Sequence, residues 1–212
     1  MAEDLIQLDR ALRAEADDLL DGRGLRDLLG RYGRLHVTGS YALRLMAWRD
    51  LDLYLEIVGD PEAELPVGKF FDLGRRMAEL LEPSQMRFRN TRPAAVASLP
   101  PGLYWGTYLG DIRRRAWKID LWALDGATCR RLLARCDETA ARLTPEARRT
   151  ILAIKSECWQ DEGYRKAFCG EDIYRAVLDE GVRDIAGFRR YLPSRQARSD
   201  ECKGDADEEH ST

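Results

Sequence analysis

Residues 50–57 constrain the fold of this chain most, because polar and apolar side chains alternate there without a break. A period of two is the signature of a β-strand with one buried face. The apolar positions are leucines and an isoleucine, which pack well in a core. The polar face carries Asp50, Asp52, Tyr54 and Glu56. The chain therefore needs a sheet that is covered on one face and presents two neighbouring carboxylates on the other.

The rest of the sequence predicts mixed strands and helices, followed by helices alone. Further strands are predicted over residues 34–38, 85–91, 103–109 and 115–124. Helices are predicted over residues 3–20, 23–31, 41–48, 69–82, 126–142, 145–160, 171–180 and 183–191. This order indicates an α/β (α+β) fold, with a mixed β-sheet domain over residues 1–125 flanked by helices and a helical C-terminal region over residues 126–194.

The composition narrows the class of protein. With 44% hydrophobic and 33% charged residues the chain resembles an ordinary folded protein, and its net charge of −3 disfavours a general polyanion-binding protein. Because neither a signal peptide nor an apolar run of roughly 20 residues is apparent, we expect a cytoplasmic protein with no membrane partner. Residues 195–212 are acidic and almost devoid of apolar side chains, which predicts a disordered tail.

The cysteines and histidines give no recognisable pattern. The sequence has five cysteines without a C-x-x-C pair and two histidines, His36 and His210. A zinc site of the usual spacing and a disulfide framework are therefore both disfavoured, and His36 is interpreted as a structural residue within an apolar strand.

The paired carboxylates on the strand suggest a metal site. Asp50 and Asp52 repel each other in a partly desolvated site, and a divalent cation that prefers carboxylate oxygens, such as Mg²⁺, removes that repulsion. Asp120 lies in the middle of another predicted strand and is the candidate third ligand if the two strands are neighbours. Three carboxylates can hold two Mg²⁺ ions about 3.5–4 Å apart, which is the arrangement used for in-line displacement at phosphorus. The alternative is a solvated strand face with no bound ion.

A candidate phosphate-binding turn precedes the paired aspartates. Gly39 and Ser40 follow a predicted strand and precede a predicted helix. Glycine permits a phosphate to approach the backbone closely, and a serine hydroxyl can donate to a phosphate oxygen. The turn and the aspartates together favour the metal site over the solvated face.

These motifs resemble those of the DNA polymerase β-like nucleotidyltransferase superfamily. The matching elements are LHVTGS at residues 35–40, DLDL at residues 50–53 after nine intervening residues, and IDL at residues 119–121. The resemblance covers roughly residues 30–125. It implies a nucleotidyltransferase fold for the sheet domain and a helical C-terminal region that closes the cleft, as in the small antibiotic-modifying members.

The resemblance also implies roles for individual residues. Gly39 and Ser40 would bind the β- and γ-phosphates, and Asp50 and Asp52 would each ligate both metals. Asp120 would bind the catalytic metal and help to deprotonate the acceptor hydroxyl.

Several basic residues are candidate phosphate contacts. Lys118 shares a strand face with Asp120, and Lys155 lies in a predicted helix where the superfamily often has a triphosphate-contacting lysine, although a surface position is the preferred interpretation. Two arginine groups, at residues 87–92 and 113–115, are interpreted as polar strand or loop positions, with binding of a triphosphate or an anionic acceptor as the alternative.

The sequence therefore predicts an enzyme that transfers a nucleoside monophosphate from a nucleoside triphosphate, with ATP as the default, to an acceptor hydroxyl and releases pyrophosphate. The size and charge of the chain favour a small-molecule acceptor. Protein adenylylation and nucleotide addition to tRNA ends, both of the toxin–antitoxin type, remain alternatives. A non-catalytic nucleotide-binding module is the alternative from a different class.

Overall fold

The computed structural model of the protein describes residues 2–57, 65–93, 99–111, 114–164 and 166–196. The strands are β1 (Arg34–Thr38), β2 (Asp50–Glu56), β3 (Gln85–Asn90), β4 (Leu103–Tyr108) and β5 (Lys118–Leu124). The α-helices within these ranges are α1 (Ala2–Asp17), α2 (Leu25–Gly30), α3 (Gly39–Leu43), α4 (Val67–Leu81), α5 (Gly126–Arg142), α6 (Pro145–Cys158), α7 (Gly170–Leu178) and α8 (Ile185–Gln196). Residues 197–212, most of the predicted acidic tail, lie outside the described residues.

The strands form a five-stranded mixed sheet in the order β1-β2-β5-β4-β3. The central strands β2 and β5 are parallel neighbours, and the other three pairs are antiparallel. This sheet with its flanking helices confirms the predicted fold class and agrees with the nucleotidyltransferase fold that the sequence resemblance implies. Among the described residues, every helix is too short or too polar to cross a bilayer.

The apolar face of the sheet packs against helices from the first half of the chain. Leu51, Leu53 and Leu55 of β2 are fully buried in a core that includes residues of α1, α2 and α4. Phe70 of α4 lies with its ring 6.0 Å from that of Trp105 on β4. Burying one leucine side chain stabilises the folded state by about 1.5–3 kcal/mol. The alternating pattern alone therefore determines which face of β2 is turned toward the core.

A second core joins the C-terminal helices to the segment before β2. Residues of α6, α7 and α8 pack there with Trp48, whose ring stacks on Trp159 at 5.5 Å. Helix α6 begins where the sequence predicts, because Thr144 Oγ1 accepts a hydrogen bond from the Ala147 N–H and a proline occupies the first turn. The domain boundary at residue 125 stays a prediction.

The helix predicted over residues 41–48 is wrong in its position. Helix α3 covers Gly39–Leu43, and the residues after it are not helical. Arg44 has a φ of 56° and ends the helix. The carbonyl oxygens of Leu43 and Arg44 accept hydrogen bonds from the guanidinium of Arg148 on α6, and the segment that follows is buried in the second core. Tertiary contacts outweigh the local helical periodicity here.

Candidate active site

Three aspartates project from the polar face of the two central strands. In the parallel pairing of β2 and β5, Asp52 lies opposite Asp120 and Asp50 lies opposite Lys118. Side chains two residues apart on a strand share a face, so all three carboxylates line the same cleft. The structure thus brings together the three residues predicted as metal ligands, and their role as ligands stays a prediction.

Asp52 lies in an environment that disfavours its charged form. Burial, together with the charges of Asp50 and Asp120, raises the pKa of Asp52 to about 8, although Lys118 and Lys155 oppose the shift. A divalent cation would remove this repulsion. A donor set made entirely of carboxylate oxygens fits the preference of Mg²⁺ and fits softer metals less well.

Gly39 holds the turn between β1 and α3 directly against Asp52. Its φ is +59°, and a Cβ atom at this position would lie only 2.0 Å from Asp52 Oδ2. Ser40, the next residue, is 7% exposed and lines the cleft together with Thr38. Glycine is therefore required here both by the backbone conformation and by the close approach of the carboxylate. Helix α3 has only five residues, so its dipole contributes little to the binding of a phosphate at the turn.

Asp120 is held by two side chains from the same sheet face. The Lys118 ammonium donates to Asp120 Oδ2 at 2.8 Å, and the Tyr104 hydroxyl donates to Asp120 Oδ1 at 2.7 Å. Gly106, opposite Asp120 on β4, leaves room for this hydroxyl, because a Cβ atom there would lie 2.4 Å from it. Both oxygens of the carboxylate are thus oriented toward fixed partners.

Lys155 lies at the wall of the cleft, and the interpretation of it as a surface residue is wrong. It is 2% exposed, and its ammonium donates to the Leu45 carbonyl at 2.7 Å and to the Tyr174 hydroxyl at 3.3 Å. Burial lowers the pKa of Lys155 to about 8, and the carboxylates of Asp50 and Asp52 oppose this shift. A buried ammonium near paired carboxylates is suited to binding an anionic ligand that lies between the ammonium and the carboxylates.

The cleft lies between the polar sheet face and helices α5, α6 and α7, with a volume of about 610 Å³. That size is within the range of small-molecule and cofactor sites. The wall facing the aspartates carries arginines from α5 and α7. These are Arg135, Arg142 and Arg175. Arg142 donates to Asp179 at 2.6 Å and to the Leu178 carbonyl at 2.8 Å, which links α5 to the end of α7.

The arginines singled out from the sequence do not line this cleft where the structure describes them. Arg87 and Arg89 lie on the edge strand β3, and the Arg87 guanidinium lies 5.5 Å from the centre of the Tyr108 ring. Arg87 pairs with Gly106 on β4, and Gly106 pairs in turn with Asp120 on β5. The Arg87 side chain therefore lies on the same face of the sheet as Asp120. The described members of the second group, Arg114 and Arg115, are exposed.

The sequence did not reveal Tyr104, which contacts Asp120, or the arginines that line the cleft. The only sequence feature that indicates the facing of Tyr104 is the alternation along β4. The sequence cannot show that β4 pairs with β5. The arginines of α5 and α7 belong to helices whose polar positions resemble any solvated helix face, so their orientation follows only from the packing of those helices.

No protein-family profile matches the sequence, and no characterised protein shows significant sequence similarity to it. Some solved structures are similar to this chain. A GLD-2/RNP-8 complex has 11% identity and a TM-score of 0.49, covering 100% of this chain and 79% of that one. Terminal uridylyl transferase 4 from Trypanosoma brucei with bound dUTP has 14% identity and a TM-score of 0.48, covering 93% of this chain and 65% of that one.

A complex of CdnC with HORMA-deltaN from E. coli MS115-1 has 14% identity and a TM-score of 0.40, covering 93% of this chain and 67% of that one. At TM-scores below 0.5, none of these similarities supports a conclusion about activity. The residues of the cleft are therefore the basis for assigning a function.

Proposed function

We propose that this protein is a magnesium-dependent nucleotidyltransferase. It would transfer a nucleoside monophosphate from a nucleoside triphosphate to an acceptor hydroxyl and release pyrophosphate. The observation that carries the proposal is the in-register pairing of Asp52 with Asp120, with Asp50 on the same face and the Gly39 turn directly against Asp52.

Asp50, Asp52 and Asp120 would hold two Mg²⁺ ions. When bound, these ions neutralise charge on the triphosphate and on the attacking oxygen. The raised pKa of Asp52 supports this role, because burial and the neighbouring charges of Asp50 and Asp120 both disfavour its carboxylate without a cation. Asp120, which Tyr104 and Lys118 orient, would accept the proton of the acceptor hydroxyl.

The triphosphate would lie between the turn and the helical wall. Gly39 would allow its oxygens to approach the backbone, and Ser40 would donate a hydroxyl hydrogen bond. Lys155 would contribute a buried positive charge from α6. Lys118 would exchange its ion pair with Asp120 for a phosphate oxygen once cations neutralise the carboxylate. Catalysis would then consist of positioning and charge stabilisation.

The test is a transfer assay in which each α-labelled triphosphate, beginning with ATP, is incubated with Mg²⁺ and with small hydroxylated molecules, RNA or protein as acceptor. We expect pyrophosphate release that Asp52→Asn lowers by about 1000-fold. Asp137→Asn, a matched change on the exposed face of α5 away from the cleft, should leave the rate unchanged. Equal rates in the two variants would contradict the proposal. Nucleotide binding without turnover for every acceptor would favour the non-catalytic module.

One observation favours a second candidate acceptor, the 3′ end of an RNA. Beyond Asp120, the same sheet face continues with Tyr104 and Trp122, whose rings lie 4.9 Å apart, and reaches Arg87 and Arg89 on β3. Aromatic rings beside cations suit stacked bases and phosphates. If RNA is the acceptor, Arg87→Ala should lower RNA-dependent turnover more than Arg131→Ala, an exposed arginine of α5. Equal effects would leave the small molecule as the acceptor class.

A further inference from the structure

A second cluster of potential metal ligands lies on the same sheet face, at the opposite end of β2 from the aspartates. His36 comes from β1, Glu56 is the last residue of β2, and Cys129 lies in the first turn of α5. Their nitrogen, oxygen and sulfur ligand atoms all lie within 4.8 Å of one another. His36 Nε2 and Glu56 Oε2 are 2.9 Å apart.

The cluster is largely shielded from solvent. Cys129 is fully buried and Glu56 is 8% exposed. The His36 side chain is 24% exposed, which leaves a route by which an ion can reach the ligands. The Arg34 guanidinium approaches Glu56 Oε2 at 3.6 Å, but its side chain is 65% exposed and can move away.

The chemistry of these three side chains differs from that of the aspartate site. A thiolate, an imidazole and one carboxylate form a mixed set of sulfur, nitrogen and oxygen donors. Zinc and related divalent cations bind such sets, whereas Mg²⁺ prefers oxygen alone. Ligand atoms bound to one tetrahedral ion lie roughly 3–4 Å apart when the metal–ligand bonds are about 2.0–2.3 Å. The observed separations therefore need only small side-chain movements.

We propose that His36, Glu56 and Cys129 bind one divalent cation of the zinc class, with water at the fourth position. The Cys129 thiol loses its proton to solvent when the ion binds, because the thiolate is the ligand. The ion then connects β1 and β2 to the beginning of α5. Since α5 carries Arg135 and Arg142 into the cleft wall, the site anchors the helix that faces the aspartates.

The sequence alone could not show this site. Structural zinc sites are recognised from closely spaced cysteines and histidines, whereas these ligands come from two strands and a helix that are far apart in the chain. The sequence disfavoured only a zinc site of the usual spacing, and the fold brings these three side chains together without any such spacing.

The test uses the full chain, stripped with a chelator, reduced with a phosphine and titrated with Co²⁺. Co²⁺ bound to a thiolate gives a charge-transfer absorption in the near ultraviolet that carboxylate ligands do not give. We expect this band at one equivalent of cobalt, and we expect Zn²⁺ to displace the cobalt and abolish the band, since zinc binds more tightly. The readout needs no nucleotide, so it is independent of the transfer reaction.

Matched cysteine variants locate the site. Cys129→Ser should abolish the thiolate–cobalt band, whereas Cys158→Ser, a change at a buried cysteine of α6, should leave it intact. His36→Gln should weaken cobalt binding by more than about 100-fold, since it removes a direct ligand. Because His36 is partly exposed, this variant tests the site even if Cys129→Ser does not fold. A folded wild-type chain without the band, or a band that survives in Cys129→Ser or keeps its affinity in His36→Gln, would overturn the proposal.

Discussion

At the residue scale, Gly39 and Asp52 depend on each other. Asp52 Oδ2 occupies the space in which any other residue at position 39 would place its Cβ atom. The positive φ at Gly39 adds a second constraint, because L-residues reach that region at a cost of about 1 kcal/mol or more. Together these constraints place the candidate phosphate turn and the candidate metal ligand within contact distance.

Gly39→Ala should therefore damage the site more than the fold. We expect a loss of about 1–3 kcal/mol in the free energy of unfolding, from backbone strain and the displaced carboxylate, and a loss of transfer activity of at least about 100-fold. Gly68→Ala is the control, because no atom lies within 4 Å of its Cβ position on α4. Chemical denaturation and the transfer assay measure both effects, and unchanged activity in Gly39→Ala would contradict the role of the turn.

The raised pKa of Asp52 predicts how stability depends on pH. Its pKa is about 8 in the folded chain and near the usual 3.8 in the unfolded chain, so the folded state binds more protons between these values. Without metal, stability should therefore fall as the pH rises from about 4 to 8.

Asp52→Asn should remove much of this decline and stabilise the metal-free protein at pH 8 by about 1–2 kcal/mol. Mg²⁺ should stabilise the wild-type chain and have little effect on the variant. Thermal unfolding at several pH values, with and without Mg²⁺, measures both effects. A wild-type stability that does not fall over this range would contradict a pKa of Asp52 raised by burial and by the neighbouring carboxylates.

The residues of the site differ in how far the sequence revealed them. Asp50, Asp52 and Ser40 stand in a local motif whose spacing reflects one strand, one turn and the next strand, so they could be predicted. Tyr104 contacts Asp120 only because of the sheet pairing, and Arg142 reaches the cleft only because of helix packing. No local pattern in the sequence encodes either contact.

At the scale of elements, the strands were predicted best. The alternation of polar and apolar residues predicts both where β2 lies in the sequence and which of its side chains face the core. The same pattern predicts β5. The site depends on the pairing of β2 with β5. The sequence did not predict this pairing, and the predicted metal site only assumed it. The error at α3 has a physical cause, since the chain after Leu43 is held by α6 and by the second core.

The contact between α6 and α3 gives an element-scale prediction. The Arg148 guanidinium donates to the carbonyls of Leu43 and Arg44 and so connects the helix that bears Lys155 to the end of the phosphate turn. Arg148→Ala should lower stability by about 1–3 kcal/mol, because two backbone carbonyls lose a charged donor.

The same substitution should raise the KM for the nucleotide, because α6 would keep the hydrogen bond from Lys155 to the Leu45 carbonyl but lose the two contacts to the end of α3. Arg149→Ala, at the adjacent exposed position of α6, should change neither quantity. Denaturation and steady-state kinetics measure the two effects. If the two variants behaved alike, the contact would have no part in shaping the cleft.

At the scale of the whole molecule, the cleft lies between two cores. The first core orients the sheet so that its polar face carries the aspartates, and the second holds Lys155 in the opposite wall. The sequence indicated a sheet followed by helices, but it could not indicate that α1 and the segment before β2 also contribute to the second core. Those contacts join residues from both ends of the chain, and they decide the shape of the cleft.

In the proposed enzyme the three aspartates bind cations around a triphosphate. The most direct measurement is a crystal structure of the chain with a non-hydrolysable ATP analogue and Mn²⁺, in which anomalous scattering locates the metal. We expect anomalous peaks about 2.0–2.3 Å from oxygens of Asp50, Asp52 and Asp120, with the triphosphate against Ser40. A bound analogue whose metal lies away from these carboxylates would rule out this metal site.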